Sequence, residues 1–329
     1  MDTRQNATRV SVFLGFAFGM PWAAALAAYL AGLVKSEPLQ AVTLVNYVFI
    51  LSPALATVFT RLVTKEGWRN FMLWPNFKRG WRCYLAAWLL PLLAAAVGGA
   101  IFYLVFPQAF DPSLDQVRKL IAGSPSVAGL SPWLILLSVT LSMMLISAPV
   151  NAVVSLGEEL GWRAYLLPRL AAGFTGGLRV SAPGQLPAEA GGLSSGGALR
   201  AALLVGLIHG VWHWPLFLMS ASFDPGSAFP FPLVYLVFTC SMSVLLSWAA
   251  LRSGSVWPAA LGHGTINPTA VLAGYLAKGP GLPLLGPTPT GLIGGLGYLL
   301  IALALVFSRG AFAGHRAAEP APTQAFEKG

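Results

Sequence analysis

Residues 132–170 read PWLILLSVTLSMMLISAPVNAVVSLGEELGWRAYLLPRL. Positions 132–157 carry no charged side chain, and their length exceeds the about 20 apolar residues that a helix needs to cross the hydrocarbon. The run then ends on adjacent acids, Glu158 and Glu159, followed by Arg163. Working outward, seven further stretches have the same character: 10–34, 41–62 and 83–106 upstream, and 200–220, 231–251, 256–277 and 290–308 downstream. Together they predict an all-α polytopic membrane protein, with about eight transmembrane helices around a polar intramembrane site. Composition agrees, since 56% of the 329 residues are hydrophobic and 9% charged, with mean hydropathy +0.70; a water-soluble globule is excluded. The stretch 10–34 is too long for a signal-peptide core and has no small-residue cleavage site, so it reads as a retained helix.

The formal charge of +9 comes from 20 Lys plus Arg against 11 Asp plus Glu. Cytoplasmic loops retain basic residues, and Arg61, Lys65, Arg69, Lys78, Arg79 and Arg82 all cluster around the second connection. With the N-terminus inside, Lys35, Arg118, Lys119 and Lys278 are the 4 outer basic residues, which leaves 16 of the 20 inside. Both termini are therefore expected in the cytoplasm and the chain in the plasma (inner) membrane. The basic excess then serves orientation and attraction to the anionic lipid bilayer. No nucleic-acid motif accompanies it, so nucleic acid is not expected as a partner. Cys83 and Cys240 lie far apart in apolar stretches and are expected as free thiols.

Between the fourth and fifth stretches, Gly173 to Gly197 is rich in Gly, Ser, Ala and Pro and reads as a flexible cytoplasmic loop. It contains no lysine, so it is not a phosphate-binding loop. The segments Phe106 to Ser131 and Gly279 to Pro289 read as ordinary connections, and the tail after Arg309 as disordered.

Ionisable groups at membrane depth are costly, and each is a functional-site candidate. In a helix, Glu159 and Arg163 stand at i and i+4 and can pair. Glu158 is rotated about 100° away, toward Trp162 and Tyr165, and keeps a carboxylate without an in-helix cation. The bland alternative is that both acids cap the end of a span and snorkel to water. Downstream, His209 and His213 share one face at the spacing that zinc-binding helices use. The run is His-Gly-Val-Trp-His, without the glutamate of HExxH. His263 and Asn267 share a face in the seventh stretch, where both can donate toward a developing oxyanion, and the glycines beside His263 allow another backbone to approach. Each pair could instead serve interhelical hydrogen bonding and packing. An acid, two histidine positions and an amide on three otherwise apolar stretches nevertheless point to one shared site.

These motifs resemble the CPBP family, the CAAX proteases and bacteriocin-processing enzymes also called Abi. EExxxR matches Glu158, Glu159 and Arg163. The aromatic-xxx-His motif, commonly followed by x-Pro, matches His213 and Pro215, and HxxxN matches His263 and Asn267. The resemblance covers roughly Ser147 to Ala270 with the motifs in order, and departs from the pattern at His209, which stands in the aromatic position. It implies a glutamate-dependent intramembrane endopeptidase with no required cofactor. Glu158 with His213 would activate water, His263 and Asn267 would stabilise the oxyanion, and Glu159 with Arg163, supported by His209, would hold the geometry. The substrate would be a membrane-associated peptide or protein. On this reading 1–130 holds helices 1 to 3 and the basic loop, 131–278 the protease core with helices 4 to 7, and 279–329 the last helix and the tail. Residue supply excludes the other intramembrane proteases: there is no Gly-x-Ser-Gly run, HExxH or intramembrane aspartate pair. Two alternatives stand beside this reading, a zinc peptidase using Glu158, His213 and His263, and a non-catalytic scaffold, immunity or transporter-like protein. One tension is built in: counted from Arg200, His213 lies about 20 Å deep, whereas Glu158 is expected at the cytoplasmic face. The two can meet only through a deeper fifth span, a bend at Pro149 or Pro215, or a wet cavity.

Overall fold

The computed structural model describes residues 3–68, 71–122, 129–174, 195–221, 228–308 and 310–312. Most of the expected Gly173 to Gly197 loop, the tail beyond 312 and His315 lie outside these residues. The described residues form helices joined by turns, with no β-strand among them.

Among the described residues, six helical runs are long and apolar enough to cross a membrane. We label them α1 (Thr3–Leu30), α2 (Pro38–Val63), α3 (Phe77–Val105), α4 (Pro132–Phe174), α5 (Ser195–Ser220) and α6 (Phe231–Ser253). The seventh and eighth expected stretches form shorter helices, α7 (Trp257–Thr269) and α8 (Leu296–Phe307). The remainder of the seventh becomes a 3₁₀ turn, Leu272–Leu276, and residues 290–295 are turns before α8. Pro268 and the Pro/Gly-rich run to Pro289 account for the shortening, because they remove helical donors and favour turns. Large apolar side chains such as Leu30, Leu104, Val153 and Phe307 stand exposed, which is the face a helical bundle presents to lipid. The protein is a multi-pass integral membrane protein.

In α4 the run extends well beyond Gly157. Over 43 residues it rises about 65 Å, twice the hydrocarbon thickness. Two π-helical segments, Met143–Ser147 and Leu160–Leu166, interrupt the α-helical turns. The acid pair therefore lies inside the helical run and does not cap its end, which corrects the expected boundary. The physical reason is local: Glu159 and Arg163 form a buried i,i+4 ion pair, so the helix can continue through them. That placement also removes the expected mismatch in depth. α5 begins at Ser195 and breaks at His213, with Pro215 in the first turn of the following Trp214–Ser220 helix.

Two close approaches bring the polar segments together. Gly264, next to His263, lets α7 lie against α4: an added Cβ would come within 2.6 Å of the Ala148 carbonyl oxygen. Gly161 does the same for α4 against α2, where Pro53 fills the space. From the other side, the Trp212 Nε1–H donates to the Ala17 carbonyl (2.9 Å) and Trp22 Nε1–H to the Trp212 carbonyl (3.2 Å), fixing α1 on α5. Cys83 and Cys240 are free thiols.

Candidate active site

The polar residues of α4, α5 and α7 meet in the interior. His209 Nε2–H donates to Glu158 Oε2 at 2.9 Å, so the direct partner of Glu158 is His209. His213 lies one turn on, and one ligand atom from each of Glu158, His209 and His213 fits within 4.8 Å of the others. His213 Nδ1–H donates to the His209 carbonyl at 3.0 Å. With that nitrogen engaged, Nε2 is the one left to accept a proton or bind a metal.

Glu159 makes the second pair. Its Oε1 accepts from Arg163 Nη1 at 3.0 Å and from His263 Nδ1 at 2.7 Å. Glu159 and Arg163 are fully buried. The expected i,i+4 ion pair is present, and it also carries His263. The His263 ring stands 5.9 Å from that of His209, so the two glutamate–histidine pairs lie side by side. Asn267 is exposed on α7, and no hydrogen bond joins it to this cluster among the described residues.

Aromatic walls fix the histidines. Trp162 stacks on His209 at 5.4 Å, and Tyr235 of α6 meets His213 edge to face at 5.5 Å. Phe49 of α2 is in ring contact with Trp212 at 4.7 Å. Tyr165 turns away from Glu158: its hydroxyl donates to Glu66 at 2.5 Å. Glu158 and Tyr165 were expected on one face from a 3.6-residue period, and the π segment from Leu160 changes that period. One contributor, Tyr235, was not singled out by sequence reasoning, and His209 was given only a supporting place. Tyr235 sits in an apolar span with no motif around it. The direct role of His209 was hidden by its matching an aromatic position, although its spacing from His213 was the available signal.

Several buried polar atoms here have no hydrogen-bond partner among the described residues: Glu159 Oε2, Arg163 Nε and Nη2, and His209 Nδ1. Leaving such atoms unmet costs about 1–3 kcal/mol each, so the site is built to take water or a polar guest. A carboxylate beside imidazoles, with a second buried carboxylate–histidine pair alongside, can move protons to and from an activated water or ligate a divalent cation.

Fold and site together define a multi-pass helical membrane protein with an intramembrane glutamate–histidine centre. Residues 138–269 match the family model described as Rce1-like, type II CAAX prenyl endopeptidase Rce1-like, which is the CPBP family that the three motifs resemble. The matched residues run from the second turn of α4 to the end of α7 and contain every residue of the centre. No curated protein matches the chain.

Proposed function

We propose that the protein is an intramembrane endopeptidase of the CAAX-protease type, acting on a membrane-associated peptide or protein without a required metal. The observation that carries the reading is the convergence of Glu158, His209 and His213 inside the bundle. In the proposed reaction Glu158 takes a proton from water as its oxygen adds to the scissile carbonyl carbon, and His213, with Nε2 available, shares that proton. The tetrahedral oxyanion takes hydrogen bonds from doubly protonated His263 and from Asn267, which stands on the exposed side of the same helix. Collapse breaks the C–N bond, and the proton held at the Glu158–His213 pair passes to the leaving amine. Glu159 and Arg163 hold His263 in place.

The test uses the full chain in proteoliposomes with a quenched fluorogenic peptide ending in a prenylated cysteine plus three residues, beside its unprenylated counterpart. Glu158→Gln should lower turnover at least about a hundredfold, the usual scale of general acid–base catalysis, while circular dichroism and thermal unfolding stay near wild type. Wild-type turnover in a folded Glu158→Gln protein would sink the proposal.

A zinc peptidase is the second reading, favoured by one observation. The ligand set that the geometry brings together is Glu158, His209 and His213, with His209 in the place that sequence reasoning gave to His263. Two imidazoles, one carboxylate and an open fourth position suit a catalytic zinc, and a ligating histidine whose other N–H donates to a backbone carbonyl, as His213 does, is a common supporting arrangement. Activity abolished by chelator and restored by zinc would choose this reading over the first.

A further inference from the structure

Away from that centre, the first turns of α3 and the last turns of α6 enclose a cavity of about 310 Å³ lined by Arg79, Trp81, Arg82, Cys83, Trp248 and Arg252. Three of the six lining residues are arginines and none is acidic. Trp81 and Arg82 are exposed at its rim, with the Arg82 guanidinium 5.3 Å from the Trp81 ring. Cys83 and Trp248 supply its apolar lining, and behind them lie the buried Ala87 and Ala249, with which they form one small cluster. The cavity therefore grades from guanidinium to indole to hydrocarbon within two turns of two membrane-spanning helices. The same gradation marks the headgroup level of a bilayer, where tryptophans and basic side chains anchor spans.

Both rims lie on the side that the distribution of Lys and Arg assigns to the cytoplasm, the leaflet that carries anionic lipid. The position of the cavity also separates lipid from a soluble anion, because an apolar floor adds nothing to a free phosphate and continues the path of an acyl chain. Arginine presents a planar fork that grips phosphate oxygens in pairs. We propose that this cavity is a binding site for the phosphate of an anionic phospholipid, held by Arg79, Arg82 and Arg252 with the glycerol and upper acyl segments against Trp248 and Cys83. The site is separate from the Glu158 centre and independent of the reaction assigned there.

The experiment is native mass spectrometry of the full chain released from detergent micelles doped with phosphatidylglycerol or phosphatidylcholine, and, in a third arm, with inorganic phosphate alone. Wild type should retain phosphatidylglycerol over phosphatidylcholine. The Arg82→Ala/Arg252→Ala double variant should lose about thirtyfold in that retention, at roughly fivefold per basic side chain near an anionic surface. Lys35→Ala/Lys278→Ala, which removes the same charge elsewhere, should keep the preference. Near-native thermal unfolding of each variant separates a lost ligand from a lost fold, and Arg82→Lys/Arg252→Lys, which keeps the charge, covers the case in which the alanine pair unfolds. Equal retention of the two lipids by wild type, unchanged retention in a folded alanine variant, or equal loss in the Lys35/Lys278 control overturns the proposal. So does inorganic phosphate occupying the protein as readily as the lipid does.

Discussion

At the scale of single residues, the two glutamates of one motif do different work because their partners differ. Glu159 is bound to Arg163 and His263 with no exposure at all, and removing one member of such a pair strands the other charge. Arg163→Met should therefore cost about 3 kcal/mol or more of stability, read as a fall in the thermal midpoint. The Arg163→Met/Glu159→Gln double variant should recover part of that loss, and strictly additive losses in the cycle would show that the two side chains are not coupled. His209 makes a finer test. His209→Phe can keep the stacking on Trp162 and loses the donor to Glu158. Under the metal-free reading kcat/KM should fall about tenfold, the worth of one hydrogen bond to a charged group. Loss of all turnover together with loss of one bound zinc per chain would instead support metal ligation.

At the scale of elements, the site depends on how closely α7 can lie on α4. Gly264→Ala places a methyl against the Ala148 carbonyl and the Ala152 amide, backbone atoms that cannot swing aside. Overpacking of this kind costs about 1–3 kcal/mol, and here it also pushes His263 off Glu159, so activity should fall along with the thermal midpoint. Gly173→Ala, where an added methyl meets nothing within 4 Å, should leave both unchanged or raise stability slightly. An equal response from the two variants would remove helix contact as the cause. The same element shows what was legible beforehand. Length and apolarity placed the six long spans, and the spacing in residues 157–170, 209–215 and 263–267 singled out the glutamates, arginine and histidines that the helices bring together, though not Tyr235. What periodicity could not supply was the register of α4 after Glu159, where the π segment begins, or its true end, because the buried Glu159–Arg163 pair lets a charged sequence continue as helix. Asn267 follows His263 by one turn of α7 and its side chain stands exposed, a difference in burial that the spacing of the two residues does not give.

At the scale of the whole molecule, one acid outside the spans ties three distant segments together. Glu66, in the connection after α2, takes Arg169 Nη2 at 2.5 Å, the Tyr165 hydroxyl at 2.5 Å and Arg9 Nε at 3.5 Å. α1, the basic connection and the last turns of α4 are thereby joined beside the candidate active site. Burial alone would push the Glu66 carboxyl up, but Arg169, the Tyr165 hydroxyl and Arg61 together outweigh it and hold the group below the ordinary glutamate value of 4.5. A carboxyl whose folded value is depressed binds protons more readily in the unfolded chain. Its stabilising contribution is then complete above the unfolded value and drains away as pH falls through the folded one. The protein should accordingly lose thermal stability as pH drops below about 4.5, and Glu66→Gln should be less stable at neutral pH while showing a flatter slope across that acid window. Tyr165 and Arg169 follow Glu158 on the same helix, so loosening this tie should also raise KM or lower kcat before the fold is lost. Thermal midpoints and turnover of both proteins, measured together across the acid range, give the comparison. Parallel pH slopes for wild type and Glu66→Gln would remove Glu66 as the acid-sensitive tie and shift attention to Asp111, whose carboxyl the Ser113 hydroxyl and backbone amides also hold below its usual range.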